Sequence, residues 1–321
     1  MTVLKVLMAI MLSTVSTVAS EISVEQRETM NAVTRHLVTR YVDPEVGKSA
    51  AEQLRAAFTA GRFDDAADGP QFALKLSEHL QALTGDGHLN IEYSATPITN
   101  ADDHSAFTRE QMERWYGAHR NYGVQRIDRL QSNVAYLDLR VFAPLEMGGD
   151  TLVAAMNVLA DMDAMIIDLR NNGGGMGDAA DLLASYLFDG GRHPLTGVYD
   201  RPTDTLTQRF TQPYVPGRRF GNTKPVYVLI SGHTFSAAEA LAYNLQALER
   251  AIIVGEVSGG GAHPFEYVPL TEHYVLWSVT ARSVNPITND NWQGVGVKPD
   301  IEVDADSALS AALRHLRARA P

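Results

Sequence analysis

Ser236 stands where an apolar, strand-like segment gives way to a run of small residues typical of a helix start. The segment from Leu229 to Glu239 predicts a strand, a turn and the first turn of a helix. There the N–H of Ala237 has no partner within the helix, and the positive end of the helix dipole faces whatever the serine attacks. Both would stabilise an oxyanion, which makes Ser236 a candidate nucleophile. The alternative is a plain helix cap, because Ser-x-x-Glu is also a capping pattern.

Three glycines, Gly173 to Gly175, closely follow a second apolar segment, Ala164 to Leu169. Glycines let the backbone turn sharply and expose its N–H groups, so this loop could supply a second oxyanion donor. A tight turn before a helix is the alternative. A dinucleotide-binding fingerprint is disfavoured, since counting from Gly173 its third glycine position is Asp178.

His88 lies on a turn between Gly87 and a short apolar segment. Imidazole titrates near neutral pH, so a histidine can serve as the general base that a serine nucleophile requires. The chain has 10 histidines, and spacing alone does not single out this one. Because the sequence lacks His-Glu-x-x-His and its other histidines show no ligand spacing, we expect no metal site. Acyl transfer by a serine and a histidine needs no organic cofactor, so none is expected.

The elements around these residues predict two regions. Apolar residues at helical spacing predict about three helices between residues 22 and 85, the first opened by a capping box at Ser23. From Ser132 onward strand and helix patterns alternate, with an antiparallel hairpin over residues 267–279 and a closing helix near the carboxyl end. We therefore expect a helical domain over residues 21–95, a linker over 96–131 and an α/β core over 132–321.

Composition narrows the class of protein. Of 321 residues 45% are hydrophobic, which suits a large globular core, and the net charge of −11 makes nucleic acid an improbable partner. With no cysteine, disulfides and thiolate chemistry are excluded. Residues 1–20 have one lysine, an apolar run and small residues near Ser20, which predicts a cleaved signal peptide. The mature protein is then periplasmic or secreted, without a stable membrane span.

Five ordered motifs resemble the carboxyl-terminal-processing serine peptidases, in the branch of the tricorn core protease and the interphotoreceptor retinoid-binding protein. They are Gly-Asp-Gly-His at 85–88, Ile-Asp-Leu-Arg-Asn-Asn-Gly-Gly-Gly at 167–175, Thr-Phe-Ser-Ala-Ala-Glu at 234–239, Gly-Glu-Val-Ser-Gly-Gly-Gly-Ala-His-Pro at 255–264 and Asn-Trp-Gln-Gly-Val-Gly-Val-Lys-Pro-Asp at 291–300.

The resemblance implies a crotonase-like α/β core preceded by a small helical domain that delivers the histidine. It assigns the nucleophile to Ser236, the base to His88 and the oxyanion donors to Gly174 and Ala237. No PDZ domain is expected, since residues 100–130 are too few to hold one. The lysine of the Ser-Lys branch is replaced by Gly261, so that dyad is excluded.

Two further positions depart from the tricorn branch. In that branch a serine precedes the histidine and a glutamate completes the charge relay. The resemblance places Gly87 and Gln293 at these two positions. A neutral amide can orient an imidazole but does not stabilise imidazolium as a carboxylate does. Asp86 or Glu239 could therefore act as the acid instead.

The sequence thus predicts an exported serine peptidase that hydrolyses peptides or proteins through an acyl-enzyme on Ser236. His263 is an alternative base. The alternative function is a weakly active or inactive relative that binds a peptide or an apolar ligand. An α/β-hydrolase esterase is disfavoured because Ser236 lacks the Gly-x-Ser-x-Gly elbow. The sequence does not determine the oligomeric state.

Overall fold

A computed structural model describes residues 22–98 and 109–319, so the predicted signal peptide lies outside the described residues. The helices are α1 (Val24–Arg40), α2 (Pro44–Thr59), α3 (Gly69–Thr84), α4 (Arg109–Tyr116), α5 (Leu145–Leu159), α6 (Gly177–Tyr186), α7 (Ala237–Ala247) and α8 (Ala308–Arg319). The strands are β1 (Asn90–Tyr93), β2 (Val124–Leu130), β3 (Val134–Leu139), β4 (Ala164–Asp168), β5 (Pro194–Asp200), β6 (Thr205–Phe210), β7 (Val226–Ile230), β8 (Ile252–Gly255), β9 (Glu266–Pro269), β10 (Tyr274–Ser278), β11 (Ala281–Val284) and β12 (Ile301–Glu302).

The predicted N-terminal helices are present, and local signals fix their ends. Ser23 opens α1 with a reciprocal capping box. The side chains of Asp43 and Asp68 accept backbone N–H groups at the starts of α2 and α3. Helix α3 ends where Gly85 takes a left-handed conformation with φ 66°. This stop places the His88 turn immediately after the helix.

A six-stranded sheet forms the body of the α/β region, in the order β12-β8-β7-β4-β3-β2. All neighbours are parallel except β2, which pairs antiparallel with β3. One face packs against α5, α6 and α7, and the other against α8. Because both faces are covered, the central strands β4 and β7 are buried along their whole length and are apolar except at Asp168, the last residue of β4. The loops after β4 and β7 therefore meet at one edge of the sheet.

The helical region has a second component that lies far along the chain. Strands β1, β10 and β9 form an antiparallel sheet, which includes the predicted hairpin over residues 267–279. This sheet shares one hydrophobic core with α1, α2 and α3. The hairpin, which we had expected in the α/β core, thus packs on the N-terminal helices, because its apolar residues complete their core.

The segment predicted as a linker, residues 96–131, contains regular structure where it is described. It holds α4 and β2, and β2 is the edge strand of the six-stranded sheet. The pattern of β2 was weak because its exposed face is charged, as expected of an edge strand. Among residues 22–98 and 109–319, no helix is long and apolar enough to cross a membrane.

Candidate active site

Ser236 directly precedes α7, as the sequence predicted. Its backbone has φ 54° and ψ −120°, a conformation that residues other than glycine rarely adopt. Such a backbone costs on the order of 1–3 kcal/mol and is characteristic of functional sites. Ala237 is the first residue of the helix, so its N–H has no intrahelical partner and lies at the positive end of the helix dipole.

Glu239 holds the Ser236 backbone in place. Its carboxylate accepts the N–H of Ser236 at 2.8 Å, the N–H groups of Gly260 and Gly261 at 2.7 and 2.8 Å, and the Ser258 hydroxyl at 2.5 Å. Burial raises the pKa of Glu239, and these donors oppose that shift. The carboxylate therefore fastens the serine turn to the glycine-rich loop at residues 258–261, and no histidine in the described part of the chain donates a hydrogen bond to it.

The glycine turn after β4 lies against the serine. A Cβ added to Gly174, whose φ is +110°, would lie 2.7 Å from the Ser236 Cβ, so only glycine fits. The N–H of Gly174 donates to Asn172 Oδ1 at 2.8 Å, while Asn172 Nδ2 donates to the Leu139 carbonyl at 2.9 Å. The predicted oxyanion donor is thus next to Ser236, but its N–H is bound to a side chain in this structure.

His88 lies on the other side of the serine turn. Its ring centroid is 4.7 Å from that of Phe235, the residue before the serine, and 5.4 Å from that of Phe265. The side chain is buried and its Nδ1 has no hydrogen-bond partner. Burial lowers the pKa of His88 to about 4, although the nearby Asp86 raises it, so the imidazole is neutral at pH 7.

Asp86 is buried between the two histidine-bearing segments. One oxygen accepts His263 Nδ1 at 2.7 Å and the Tyr41 hydroxyl at 3.1 Å. The other accepts the backbone N–H of His88 at 3.0 Å and lies 3.9 Å from His88 Nδ1. Burial raises the pKa of Asp86, but the hydrogen bond and charge of His263, together with smaller contributions from His88, outweigh it and hold the pKa below its usual value.

The small antiparallel sheet explains why the two histidines meet. Strands β1 and β9 both pair with β10, so they run parallel to each other on its two sides. His88 lies shortly before β1 and His263 shortly before β9. Both therefore emerge at the same end of the sheet, the end that faces Phe235.

Gln293, which the resemblance places at the charge-relay position, has other partners. Its Oε1 accepts the N–H of Ala262 at 2.8 Å, and its Nε2 lies 3.4 Å from the Gly85 carbonyl oxygen. The amide thus ties the glycine-rich loop to the histidine turn and does not orient the imidazole of His88. A Cβ at Gly87 would lie 3.2 Å from the Phe235 ring.

Sequence reasoning assigned no site role to Tyr41, Asn172 or Phe235. Nothing in the local sequence marks the contact of Tyr41 with Asp86, 45 positions away. For Asn172 a signal was available, because two asparagines, Asn171 and Asn172, stand directly before the three glycines and asparagine side chains often bind the backbone of a turn. Within residues 22–98 and 109–319, no group of three or more histidine or acidic side chains could hold a metal ion.

Comparisons with known proteins show which family this chain matches. Residues 133–303 match peptidase family S41, and residues 12–114 match the N-terminal domain of peptidase S41 in eukaryotic IRBP. A carboxy-terminal-processing protease of Bartonella bacilliformis is 29% identical over 185 residues, which are 55% of this chain and 40% of that protein. This chain spans only 26 to 40% of the length of the curated relatives that it matches.

Two solved structures share the fold over most of the chain. A peptidase-like protein from Parabacteroides merdae superposes with a TM-score of 0.63 at 19% identity, covering 92% of this chain and 98% of that one. The tricorn protease superposes with a TM-score of 0.52 at 13% identity, covering 91% of this chain and 37% of that one. At these identities the likeness concerns the fold alone.

Proposed function

The chain belongs to peptidase family S41, and from this we propose that it is an exported serine peptidase that cleaves peptide bonds through an acyl-enzyme on Ser236. The observation that carries the proposal is the backbone of Ser236, held at φ 54° at the start of α7 between a glycine turn and a histidine cluster. We propose that the α/β body is crotonase-like and that the substrate is a peptide or protein.

In the proposed reaction the Ser236 hydroxyl oxygen attacks the carbonyl carbon of a peptide bond and its proton passes to His88. The N–H of Ala237 and the glycine turn stabilise the oxyanion. For Gly174 to take part, its N–H must leave or share the oxygen of Asn172. The tetrahedral intermediate expels the amine, which takes the proton from His88, and water then hydrolyses the ester with the same histidine as base.

Export is part of the proposal and rests on residues 1–20. The protein recovered outside the cytoplasm should begin at Glu21, which mass spectrometry of its N-terminal peptide would determine. A mature protein that retains Met1 would contradict cleavage.

A second function, binding of a peptide or apolar ligand without turnover, is favoured by one specific observation. His88 Nδ1 has no partner, and the amide of Gln293 stands where the resemblance places the charge-relay acid. A binding protein needs no activated serine. The reactivity of Ser236 therefore separates the two functions.

The decisive experiment is covalent labelling of the purified chain from Glu21 onward with a fluorophosphonate, read by mass spectrometry. We expect one adduct, on Ser236, which disappears in Ser236→Ala and falls by at least about 100-fold in His88→Ala. Ser49→Ala, at an exposed helix position, is the matched control and should label like the wild type. A folded wild type that does not label would overturn the peptidase proposal in favour of binding.

A further inference from the structure

We propose that Asp86 is the positioning carboxylate of this active site, which orients His88 and stabilises the imidazolium formed when His88 accepts the Ser236 proton. The inference rests on the proposed function and deepens it. It assigns the acid to the residue two positions before the base, on the same turn, and not to the position of Gln293.

The distances around His88 point to this assignment. Its Nδ1 is buried without a partner, and an unpaired buried polar atom is rare and costly in a native protein. An acceptor lies beside it, because Asp86 Oδ1 is 3.9 Å away. Closing that gap by about 1 Å would give a hydrogen bond of ordinary length, and contacts of this kind often tighten only when substrate binds.

Asp86 is held so that it can serve His88. Its Oδ1 already accepts the His88 backbone N–H at 3.0 Å, which fixes the carboxylate relative to the base. Its Oδ2 is occupied by His263 Nδ1 at 2.7 Å and by the Tyr41 hydroxyl at 3.1 Å. His263 precedes β9 and Tyr41 directly follows α1. Because these two donors occupy Oδ2, only Oδ1 is left to accept a hydrogen bond from a second imidazole.

The other two candidates for the acid are engaged elsewhere. Each oxygen of Glu239 accepts two hydrogen bonds, and all four donors belong to the serine turn and the loop at residues 258–261. The Gln293 amide is bound to Ala262 and lies near the Gly85 carbonyl. Of these three side chains, only Asp86 places an oxygen beside the His88 imidazole in the described part of the chain.

The proton balance of the step is simple. The Ser236 proton moves to His88 Nε2 as the bond from oxygen to the carbonyl carbon forms, and the imidazole becomes positively charged. Its Nδ1–H stays on the ring and donates to Asp86, which remains ionised throughout. When the intermediate collapses, the Nε2 proton leaves with the amine. Asp86 therefore acts only through His88.

The test is the second-order rate constant for fluorophosphonate labelling of Ser236, measured across pH in the chain from Glu21 onward. Asp86→Asn should lower the rate constant at pH 7 by about 100-fold or more, since loss of a triad carboxylate costs up to about 10⁴-fold. Asp306→Asn, at an exposed position away from the site, should stay within about threefold of the wild type, with circular dichroism showing that each variant is folded.

The pH profile separates positioning from a merely structural role. The charged and titratable groups that influence His88 are Asp86, which raises its pKa, and His263, which lowers it; Phe235 and Phe265 cover the ring. Removing the Asp86 charge should move the pH at which His88 loses its proton downward. A structural defect alone would lower the rate without moving that midpoint.

The outcomes are distinguishable. If the wild type does not label, the proposed function fails. If the wild type labels and folded Asp86→Asn labels at the same rate, the Asp86 assignment fails while the function stands. Loss of labelling in His263→Ala but not in His88→Ala would also overturn it, because His263 would then be the base.

If Asp86→Asn does not fold, nuclear magnetic resonance of the wild-type boronic acid adduct keeps the proposal testable. The adduct resembles the tetrahedral intermediate, so the Nδ1 proton of His88 should appear strongly deshielded by its bond to a carboxylate. Absence of that signal in an adduct formed on Ser236 would overturn the assignment.

Discussion

The serine side and the histidine side of the candidate active site differ in how completely their polar groups are paired. On the serine side, Glu239 accepts four donors and the turns at Ser236 and Gly174 pack against each other. On the histidine side, Asp86 accepts three donors, while His88 Nδ1 accepts or donates nothing. The proposed nucleophile, Ser236, is thus preorganised, and the adjustment that remains before the proposed reaction concerns the proposed base, His88.

This difference follows from where each side comes from. The serine side consists of loops at the carboxyl edge of a parallel sheet that is covered on both faces. The histidine side joins α1, α3 and two segments that flank a three-stranded sheet, one of them more than 170 positions from the other. Side chains on loops of one rigid sheet are held in position more precisely than side chains that distant segments of the chain bring together.

The largest effect should come from breaking the serine side at Glu239. In Glu239→Gln one oxygen becomes an NH₂ group that faces either the N–H groups of Ser236 and Gly261 or the N–H of Gly260 and the Ser258 hydroxyl, which can turn to accept. In either orientation at least one N–H loses its acceptor and the remaining hydrogen bonds lose the charge of theirs, which should lower the free energy of unfolding by about 3 kcal/mol. Urea unfolding measures the change, and exposed Glu249→Gln is the control. An unchanged stability would show that the Glu239 contacts do not hold this side together.

The glycine turn gives a sharper test of the same side. Gly174→Ala places a Cβ 2.7 Å from the Ser236 Cβ at φ +110°, so the two turns must separate. We expect Ser236 labelling to slow by about 100-fold, or about 2.7 kcal/mol in activation free energy. Gly173→Ala is the matched control, because its Cβ would meet nothing within 4 Å. Equal labelling rates in the two variants would contradict the close packing of the turns.

The histidine side should be the more sensitive to acid. His36 Nε2 lies 2.7 Å from the Ser278 hydroxyl oxygen, and burial, with a smaller contribution from Arg40, lowers the His36 pKa from 6.5 to about 4. Between pH 6.5 and about 4, His36 is protonated in the unfolded chain but neutral in the folded protein. The free energy of unfolding should therefore fall as pH drops from 6.5 to 4, by at most about 3 kcal/mol from this residue.

Urea unfolding at about pH 7 and about pH 4.5 measures this loss. His36→Gln should lose about 2 kcal/mol less than the wild type between the two values, and His119→Gln, at an exposed position, should lose as much as the wild type. His88 adds a loss of the same sign, because its pKa is also lowered to about 4. If His36→Gln loses as much as the wild type, His36 is not what makes this side acid-sensitive.

Much of the architecture was predictable from local pattern. Apolar residues with capping signals at Ser23 predicted the first helix, and the apolar segments at 134–139, 164–169 and 226–230 predicted three central strands. Ser236 was placed at its helix start for the same reason. The edge strand β2 was missed because its apolar residues, Val124, Ile127 and Leu130, lie three positions apart and so do not show the alternation that marks a strand.

The sequence by itself determined which groups are available: Ser236 at a helix start, a glycine turn, several histidines and the acids Asp86 and Glu239. These follow from short-range rules, since caps, turns and strand alternation depend on neighbouring residues. Only the tertiary structure decided the partners of each acid. The contacts of Asp86 with Tyr41 and His263 span 45 and 177 positions, and such pairings arise from sheet register and core packing, which no local pattern encodes.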